Sequence, residues 1–303
     1  MKIVIAGGAG FVGRAVVARL LSQGHDVVVL SRRAPGGSPA ASQPVSRIFW
    51  DGKVLGEWCA ALEGADALIN LSGENISGRR WTREYKQILR QTRLDPTHLL
   101  VRALGACRIP PGVFINASAV GYYGDAGDRW LDEGAAPGQG FLAGLCQAWE
   151  QAALEAEGHG VRVVVARMGI VLGHGGVLEK FAPPFRAFVG GPLGSGRQWM
   201  SWISGHDLAD AFLFIIRHEA LKGPVNCVSA EPLTMHAFCK ALGAVWHRPS
   251  WLPCPSWVLQ AALGEMASVV VSSQRVIPKK LLDAGFRFQE PRAIEQVLML
   301  YLA

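Results

Sequence analysis

The sequence predicts an α/β protein built on a doubly wound parallel sheet, with a smaller C-terminal lobe. Three observations support this prediction. Short apolar runs alternate with helical patterns over residues 1–172, as in a parallel sheet that helices cover on both faces. The chain opens on a strand, a glycine-rich turn and a helix, and after Gly173 the alternation gives way to scattered Gly and Pro. We therefore expect two interleaved domains, 1–172 and 173–303.

The first thirty residues read as a βαβ unit. Residues 2–6 are apolar and rich in β-branched side chains, which predicts a strand buried on both faces. Gly7, Gly10 and Gly13 follow with GxxGxxG spacing, then comes a helical pattern, and residues 25–30 form a second apolar run. A glycine turn between the strand and helix of such a unit is the dinucleotide-binding fingerprint of a Rossmann-type sheet.

Each of the three glycines has a physical role in that interpretation. Gly7 permits the tight turn from strand to helix, and Gly10 lets the backbone approach a pyrophosphate closely. Gly13 lets the helix pack down on the strand, so that its first N–H groups and its dipole face the phosphates. The alternative is an ordinary glycine turn that binds nothing.

The end of the second strand predicts which dinucleotide is bound. An NAD site needs an acidic residue there to accept hydrogen bonds from the ribose 2′-hydroxyl. The chain instead has Ser31, Arg32 and Arg33, and Asp26 lies at the opposite end of the run. A hydroxyl and guanidinium groups suit a 2′-phosphate, which an acid would repel. We therefore predict NADP(H) as the cofactor; the alternative is two solvated arginines that open a loop.

The remaining patterns predict further elements in chain order. Strands are expected at 46–50, 66–71, 113–118, 161–172 and 223–228, and helices at 55–62, 81–104 with an interruption near Asp95-Pro96, 140–157, 207–218, 234–245 and 257–267. Residues 35–44 and 128–139 read as surface loops, and we expect Asp132 and Glu133 to be solvated.

Composition excludes several classes of protein. Hydrophobic residues make up 50% of the chain and charged residues 18%, so a sizeable core is available and wholesale disorder is not expected. The six cysteines form no CxxC pair, so we expect free thiols in the cytoplasm and neither disulfides nor a zinc site. No signal peptide is expected, and the most apolar later stretch, 257–271, is too short for a membrane span.

Positive charge does not by itself indicate a nucleic-acid partner. The net charge of +6 is modest for 303 residues. Five basic residues recur at alternating steps of four and three, so that they share one face of a helix: Arg79, Arg83, Lys86, Arg90 and Arg93. Arg79 lies just before the 81–104 helical pattern, and the other four lie within it. Without interleaved aromatic residues we interpret most of this stripe as a solvated face and expect neither a nucleic-acid nor a membrane partner.

Several short segments resemble a known family. They are GGAGFVG (7–13), NLSGENI (70–76), RRWT (79–82), SAVGYYGD (118–125) and GSGRQWMSWI (194–203). They are similar to the extended branch of the short-chain dehydrogenase/reductases, and within it to the atypical epimerase family of YfcH-like proteins in the NAD-dependent epimerase/dehydratase superfamily. The resemblance covers nearly the whole chain and implies a Rossmann-type sheet with a smaller C-terminal substrate-side lobe.

The resemblance also implies where the parts of the cofactor lie. Carried over residue by residue, it assigns the pyrophosphate to Gly7, Gly10, Phe11, Val12 and Gly13, the 2′-phosphate to Ser31 and Arg32, the adenosine half to Leu71 and Ser72, a further cofactor contact to Arg93, and the neighbourhood of the nicotinamide to Ile170. At the position of Arg93, that branch usually has Asn.

The catalytic residues of that branch are missing here. Its enzymes use a Tyr that exchanges a proton with the substrate and a Lys four residues later that lowers the pKa of the phenol. No tyrosine in this chain is followed by such a lysine. The two places fall at Leu142 and Cys146, and a one-residue shift gives Phe141 and Leu145, none of which can perform this acid–base chemistry.

Three other residues are candidates for catalysis. Ser118, Tyr122 and Tyr123 follow the 113–118 strand, where they could supply a hydroxyl to a substrate, although each could equally be structural. Cys146 reads as a buried cysteine more readily than as a nucleophile. Arg197, Trp199 and Trp202 are candidates for the substrate pocket. The histidines show no metal-ligand spacing, so we expect no metal.

The sequence therefore supports two functions of different classes. One is an NADP(H)-dependent oxidoreductase or epimerase that acts on an unidentified small molecule, with a cleft lined by Ser118, Tyr122, Tyr123 and Trp202. The other is a sensor or partner-binding protein that holds the cofactor without redox chemistry, which the missing Tyr and Lys favour. The resemblance suggests a link to cell division for it, because some members of the family carry a cell-division-inhibitor label. The sequence leaves the substrate and the oligomeric state open.

Overall fold

A computed structural model describes residues 1–32, 45–289 and 294–302. Arg33 and the predicted loop 35–44 lie outside the described residues. The strands are β1 (Lys2–Ala6), β2 (Asp26–Ser31), β3 (Val45–Phe49), β4 (Ala67–Asn70), β5 (Val113–Ala119), β6 (Trp130–Leu131), β7 (Arg162–Met168), β8 (Ile170–Leu172), β9 (Trp199–Met200), β10 (Trp202–Ser204), β11 (Gly223–Cys227), β12 (Leu233–Thr234) and β13 (Arg275–Val276). The helices are α1 (Phe11–Ser22), α2 (Arg83–Ala106), α3 (Phe141–Leu154), α4 (Val177–Arg186), α5 (Gly205–Arg217), α6 (Met235–Trp246), α7 (Ser256–Leu263), α8 (Ser268–Val271), α9 (Lys279–Asp283) and α10 (Ile294–Leu302).

Seven parallel strands form the central sheet in the order β11-β7-β5-β4-β1-β2-β3. β1 lies between β2 and β4, with Ile3 paired to Val27 on one side and to Ala67 on the other. The chain therefore winds outward in both directions from β1, and the order reverses between β1 and β4. Ligands of open α/β sheets bind at this switch point, beyond the carboxyl ends of the strands. The predicted Rossmann-type α/β fold is confirmed.

Apolar side chains fill both faces of the sheet. On one face α1 and α5 pack against it, with Leu20 and Phe212 fully buried. On the other face α2 packs through Leu100 and α3 through Ala153. Because helices cover both faces, the central strands are apolar without alternation, as the continuous run of buried residues in β1 shows.

The predicted single strand at 161–172 is wrong. β7 ends at Met168, and after Gly169 the chain enters β8, which pairs with β10 outside the main sheet. A Cβ at Gly169 would lie 2.6 Å from the Ser201 carbonyl oxygen, and the Ile170 N–H donates to that same oxygen at 2.9 Å. Close approach of the 201 segment therefore redirects the chain at the glycine.

The predicted interruption near Asp95-Pro96 is also wrong, because α2 runs without a break through Pro96. A proline inside a helix removes one backbone hydrogen bond. In α2 the Thr97 hydroxyl donates to the Arg93 carbonyl at 2.7 Å, and the helix buries Leu99 and Leu100 against the sheet. The packing of the buried face therefore outweighs the missing bond.

Two shorter predicted helices also differ. The expected helix at 55–62 is a single 3-10 turn over Glu57–Ala61. The expected helix at 257–267 is α7 followed by a 3-10 turn, Gly264–Ala267, and then by α8.

The segment after residue 172 contributes to the main sheet as well as to a second cluster. β11 pairs with β7, and α5 is joined to α1 by the bidentate Arg19–Asp210 ion pair at 2.8 Å. Elsewhere α4, α6 and α10 bury a separate apolar cluster that includes Phe185 and Phe238. The division into domains 1–172 and 173–303 stays a prediction. Within the described ranges, no helix is long and apolar enough to span a membrane.

Candidate functional site

The turn after β1 lies in close contact with the end of β4. Gly7 has a φ of +79°, and a Cβ on it would lie 2.7 Å from the backbone of Leu71. A Cβ on Gly13 would lie 2.5 Å from the Gly7 carbonyl oxygen, so α1 rests directly on the turn. Both positions therefore require glycine for the chain's own packing.

Gly10 differs, because the protein itself leaves room for a side chain there. Its φ of −72° suits any residue, and a Cβ would meet only the Gly7 oxygen, at 3.4 Å. Gly10 is exposed at the N-cap of α1, and among the described residues no side chain accepts a hydrogen bond at this cap. The first N–H groups of α1, at Phe11 and Val12, therefore have no side-chain cap among the described residues and follow an open, exposed glycine, an arrangement that suits a phosphate.

Ser31 and Arg32 lie beside this turn, at the end of β2. β2 is the neighbour of β1, with Leu30 paired to Ala6, so its carboxyl end reaches the same edge of the sheet. Ser31 is half-buried and Arg32 is exposed. The position matches the one where an acid would bind the ribose of NAD, and here it carries a hydroxyl and a guanidinium group.

Leu71 and Ser72 line the other side of the turn. The Leu71 N–H donates to the Ala6 carbonyl at 2.8 Å, and the Ser72 N–H donates to Asn70 Oδ1 at 3.1 Å. The Ser72 hydroxyl oxygen is buried and has no hydrogen-bond partner in the part of the chain that the structure describes. A buried hydroxyl without a partner is costly, so its place beside the glycine turn fits a polar group of a ligand.

Arg93 is the member of the basic stripe that points inward. Its guanidinium donates to the Leu89 carbonyl at 3.0 Å and to the Glu74 carbonyl at 3.1 Å, and lies over the ring of Trp149. Burial lowers the pKa of Arg93 from its usual value. Of the other stripe residues, Arg79, Arg83 and Arg90 are exposed and Lys86 pairs with Glu265.

A buried polar network supports the ends of β4 and β5. The Asn70 side-chain amide donates to Thr97 Oγ1 at 3.0 Å and to Asn116 Oδ1 at 2.7 Å, and the Trp149 indole N–H donates to the same Thr97 oxygen at 3.0 Å. The network joins β4, β5, α2 and α3. It fixes the side chain of Asn70, whose Oδ1 in turn accepts the hydrogen bond from the Ser72 backbone N–H.

The glycine loop after β8, the strand that carries Ile170, lies against the start of α1. The ring of Phe11 lies against this loop, since a Cβ on Gly173 would be 3.2 Å and one on Gly176 2.9 Å from it. Ile170 is half-buried in β8. The structure therefore brings the start of α1 and the end of β8 to the same cleft.

Ser118 is tied to a buried ion pair. Its hydroxyl donates to Glu150 Oε1 at 2.6 Å. Glu150 binds Arg167 through two bonds of 2.9 and 2.8 Å, and both side chains are almost fully buried. Burial acts to lower the pKa of Arg167, but the bonds to Glu150 outweigh it and raise that pKa.

The two tyrosines have different surroundings. Tyr122 is half-buried, with the guanidinium of Arg167 3.4 Å from its ring centroid, and no described residue hydrogen-bonds its hydroxyl. Tyr123 is only 2% exposed, and its hydroxyl donates toward Asn226 Oδ1 at 2.7 Å and accepts from Arg167 at 3.0 Å. Burial raises the pKa of Tyr123 to about 12. These contacts give Tyr123 a structural role, whereas Tyr122 keeps a free hydroxyl.

The places of the missing Tyr and Lys are apolar in the structure. Leu142 packs with Trp81 and Leu145, together with Met266 and Val269 of the C-terminal segment. Cys146 is buried, and burial raises the pKa of its thiol to about 11, so the thiol stays protonated and is a poor nucleophile.

Comparison with known proteins identifies the family. The model of the NAD dependent epimerase/dehydratase family matches residues 3–227, and that of a domain of unknown function, DUF1731, matches residues 254–295. The chain belongs to the NAD dependent epimerase/dehydratase family. An epimerase family protein of Mycobacterium leprae is 42% identical over 289 residues, which cover 94% of this chain and 91% of the relative.

Two solved structures agree with the observed fold. The crystal structure of the human epimerase family protein SDR39U1 with NADPH has a TM-score of 0.87 and 32% identity, and covers 99% of both chains. That of a nucleoside-diphosphate sugar epimerase from Corynebacterium glutamicum has a TM-score of 0.77 and 30% identity, and covers 99% of this chain and 57% of that one. The predicted resemblance to this epimerase family is confirmed.

Several residues of the site were missed or misplaced by the sequence analysis. Glu133, expected to be solvated, is buried, accepts the Asn226 N–H at 3.1 Å, and has its pKa raised by burial. Trp202, expected in the cleft, is 2% exposed, and its indole N–H donates to the Glu231 carbonyl. The sequence did contain a signal for the buried ion pair, because Arg167 is a lone arginine in an apolar strand and such a residue needs a buried partner. Within the described ranges, no group of three or more His, Cys, Asp or Glu could hold a metal ion.

Matched alanine substitutions test whether Gly10 serves a ligand. We expect Gly10→Ala to cost about 1 kcal/mol or less in the free energy of unfolding, because the Cβ fits and only the cap is weakened. We expect Gly13→Ala to cost about 3 kcal/mol, because its Cβ overlaps backbone. Urea unfolding measures both, and titration calorimetry with NADPH should show affinity lost in the stable Gly10→Ala variant. Unchanged affinity there would contradict a phosphate at the turn.

Tyr123→Phe and Tyr122→Phe test the roles of the two phenols. We expect Tyr123→Phe to lower the free energy of unfolding by about 1–3 kcal/mol near neutral pH, since it leaves buried groups unpaired. Tyr122→Phe should change it by less than about 0.5 kcal/mol. Because the folded-state pKa of Tyr123 is raised from 10.0 to about 12, the stability that its proton contributes is complete below pH 10.0 and is lost as pH rises toward 12. The difference between wild type and Tyr123→Phe should therefore shrink over that interval, and a constant difference would contradict the assignment.

Proposed function

We propose that this protein is an NADP(H)-binding oxidoreductase or epimerase of the atypical short-chain dehydrogenase type, with a small-molecule substrate. The observation that carries the proposal is the exposed glycine at the N-cap of α1, which the chain's own packing does not require, next to a strand end that carries Ser31 and Arg32. A phosphate-bearing dinucleotide accounts for both features.

The cofactor-binding residues divide into groups along the edge of the sheet. The pyrophosphate would be held by the turn after β1 and the first N–H groups of α1, that is by Gly7, Gly10, Gly13, Phe11 and Val12. The other contacts we propose are Ser31 and Arg32 for the 2′-phosphate, Leu71 and Ser72 for the adenosine half, Arg93 from α2, and Ile170 near the nicotinamide. The orphaned Ser72 hydroxyl supports this assignment, because it gains a partner when a ligand binds.

The relatives support the choice of NADP(H). The human protein SDR39U1, 32% identical over nearly all of both chains, was crystallised with NADPH. This chain carries a basic residue where an NAD site needs an acid.

We also propose a cytoplasmic location for the protein. The cysteines of the described residues are free thiols, which fit a reducing compartment.

For catalysis we propose Tyr122 as the proton donor or acceptor. NADP(H), when bound, supplies hydride transfer to and from its nicotinamide. Tyr122 has a hydroxyl without a partner among the described residues, and the Arg167 guanidinium over its ring holds the ring in place by a cation–π contact. Ser118 could orient a substrate oxygen, but its proton already bonds Glu150, so it would act as an acceptor. Tyr123, our third candidate from the sequence, is left out of this role because of its buried contacts.

A second function is favoured by one observation. Leu142 and Cys146 occupy the places of the catalytic pair, and Leu142 packs against the same apolar cluster as Met266 and Val269 of the C-terminal segment. An apolar cluster at this point suits a protein that senses the redox state of its cofactor and binds a partner without turnover.

Substitution of Arg32 tests the cofactor. We expect Arg32→Ala to weaken NADPH binding by about tenfold to a hundredfold, because a charged hydrogen bond to the 2′-phosphate is lost. NADH binding should not change. Titration calorimetry measures both, with Arg90→Ala, an exposed arginine of α2, as the matched control. Equal loss of NADPH and NADH affinity would refute the assignment of the 2′-phosphate to Arg32.

Isotope transfer separates the two functions. With NADPH deuterated on one face of the nicotinamide, an enzyme should pass deuterium to one member of a panel of carbonyl compounds and nucleotide sugars. Tyr122→Phe should then lower kcat by about 10²–10⁴-fold at unchanged NADPH affinity. If no compound receives deuterium and a pulled-down partner distinguishes NADPH from NADP⁺, the sensor function is correct instead.

A further inference from the structure

A basic cavity lies at the surface around α6, away from the residues assigned to the cofactor. It has a volume of about 590 Å³, and its polar lining comprises His236, Lys240, His247, Arg248 and Ser250. The lining includes two fixed positive charges, two histidines that add charge when protonated, and no acidic residue.

Carboxylates of the described residues do not neutralise the cations of this cavity. In the described parts of the chain, neither Lys240 nor Arg248 forms an ion pair with a carboxylate, whereas Arg19 is paired with Asp210. A helix C-terminus favours nearby cations, which accounts for His247 and Arg248 just after α6. It does not account for Lys240 in the middle of α6 or His236 in its first turn.

Exposed apolar side chains adjoin the cavity. Phe188 is 54% exposed and Trp251 65%, and Val189 and Leu252 are exposed beside them. The Trp251 indole N–H donates to the Phe188 carbonyl at 3.1 Å, and the Arg248 guanidinium lies 4.6 Å from the Phe188 ring centroid. We call the whole surface the basic-aromatic face: His236, Lys240, His247 and Arg248 with Phe188, Val189, Trp251 and Leu252.

Backbone strain is concentrated at the same place. Among the described residues, Phe188 and His247 are the two non-glycine residues with positive φ, at 62° and 53°. A phenylalanine in this conformation costs free energy, and such strain tends to persist at functional positions. Here it holds an aromatic ring outward beside the cations instead of in the core.

We propose that the basic-aromatic face docks on an anionic phospholipid surface. Cations next to exposed Trp, Phe and aliphatic side chains match a layer in which phosphate groups lie above acyl chains. A nucleotide suits the face less well, because the exposed Val189 and Leu252 side chains neither stack on a base nor bind a phosphate, whereas acyl chains would cover them. The contact is peripheral, and it replaces the expectation from the sequence that the protein has no membrane partner.

Vesicle co-sedimentation tests the charged half of the face. We expect the full-length protein to bind vesicles of equimolar phosphatidylcholine and phosphatidylglycerol and to bind phosphatidylcholine alone much more weakly. A double variant, Lys240→Gln with Arg248→Gln, should bind the anionic vesicles roughly tenfold or more weakly, since it lacks two cations that would lie near the membrane surface. The control, Arg83→Gln with Arg90→Gln, removes the same charge from the exposed face of α2 and should weaken binding less than about threefold.

Substitution of the apolar half distinguishes a membrane from a free anion. Trp251→Ser with Leu252→Ser should also reduce vesicle binding, without affecting NADPH affinity or the circular dichroism spectrum. No binding to anionic vesicles, or an equal loss in the Arg83/Arg90 control, would overturn the proposal. A third combination of results would also overturn the proposal: inorganic phosphate binds saturably at this face, and the Trp251 and Leu252 substitutions leave vesicle binding unchanged. The face would then be a site for a soluble anion.

Discussion

The candidate site depends on one close backbone contact, that between the turn after β1 and the end of β4. Gly7 approaches Leu71 so closely that a Cβ would lie 2.7 Å from its backbone, and Gly13 brings α1 onto the same turn. Because β1 and β4 are parallel neighbours, with Ala6 paired to Asn70, their carboxyl ends lie at the same edge of the sheet, at the point where the strand order reverses. Within this frame Gly10, the position that packing leaves free, becomes the place where a ligand can approach the start of α1.

The three candidate catalytic residues are organised by the buried Glu150–Arg167 pair. Two charges almost fully removed from water must satisfy one another, and here Glu150 also accepts the Ser118 proton while Arg167 contacts both tyrosines. The pair therefore determines which hydroxyls are free. Ser118 and Tyr123 are engaged inside the protein, and Tyr122 is left with an available phenol.

The elements that the sequence predicted correctly are those with local causes. β1, its glycine turn and α1 follow from four apolar residues after Lys2, three glycines and a helical period, and the structure places them within one or two residues of the expectation. The errors have distant causes. The strand at 161–172 breaks because the 201 segment lies against Gly169, and α2 passes through Pro96 because its buried face packs on the sheet. Neither neighbour is visible in a local pattern.

The sequence alone determined the fold class, the glycine turn and the charge at the end of β2, because strand burial, turn geometry and residue type are local properties. Tertiary structure decided what no spacing could show: that Arg167 meets Glu150, that Glu133 and Trp202 are buried, and that Tyr122 and Tyr123 differ in access. Adjacent residues can have opposite environments when the chain turns between them, as it does in the 3-10 turn Val120–Tyr123. Burial and hydrogen bonding then depend on packing partners far away in the chain.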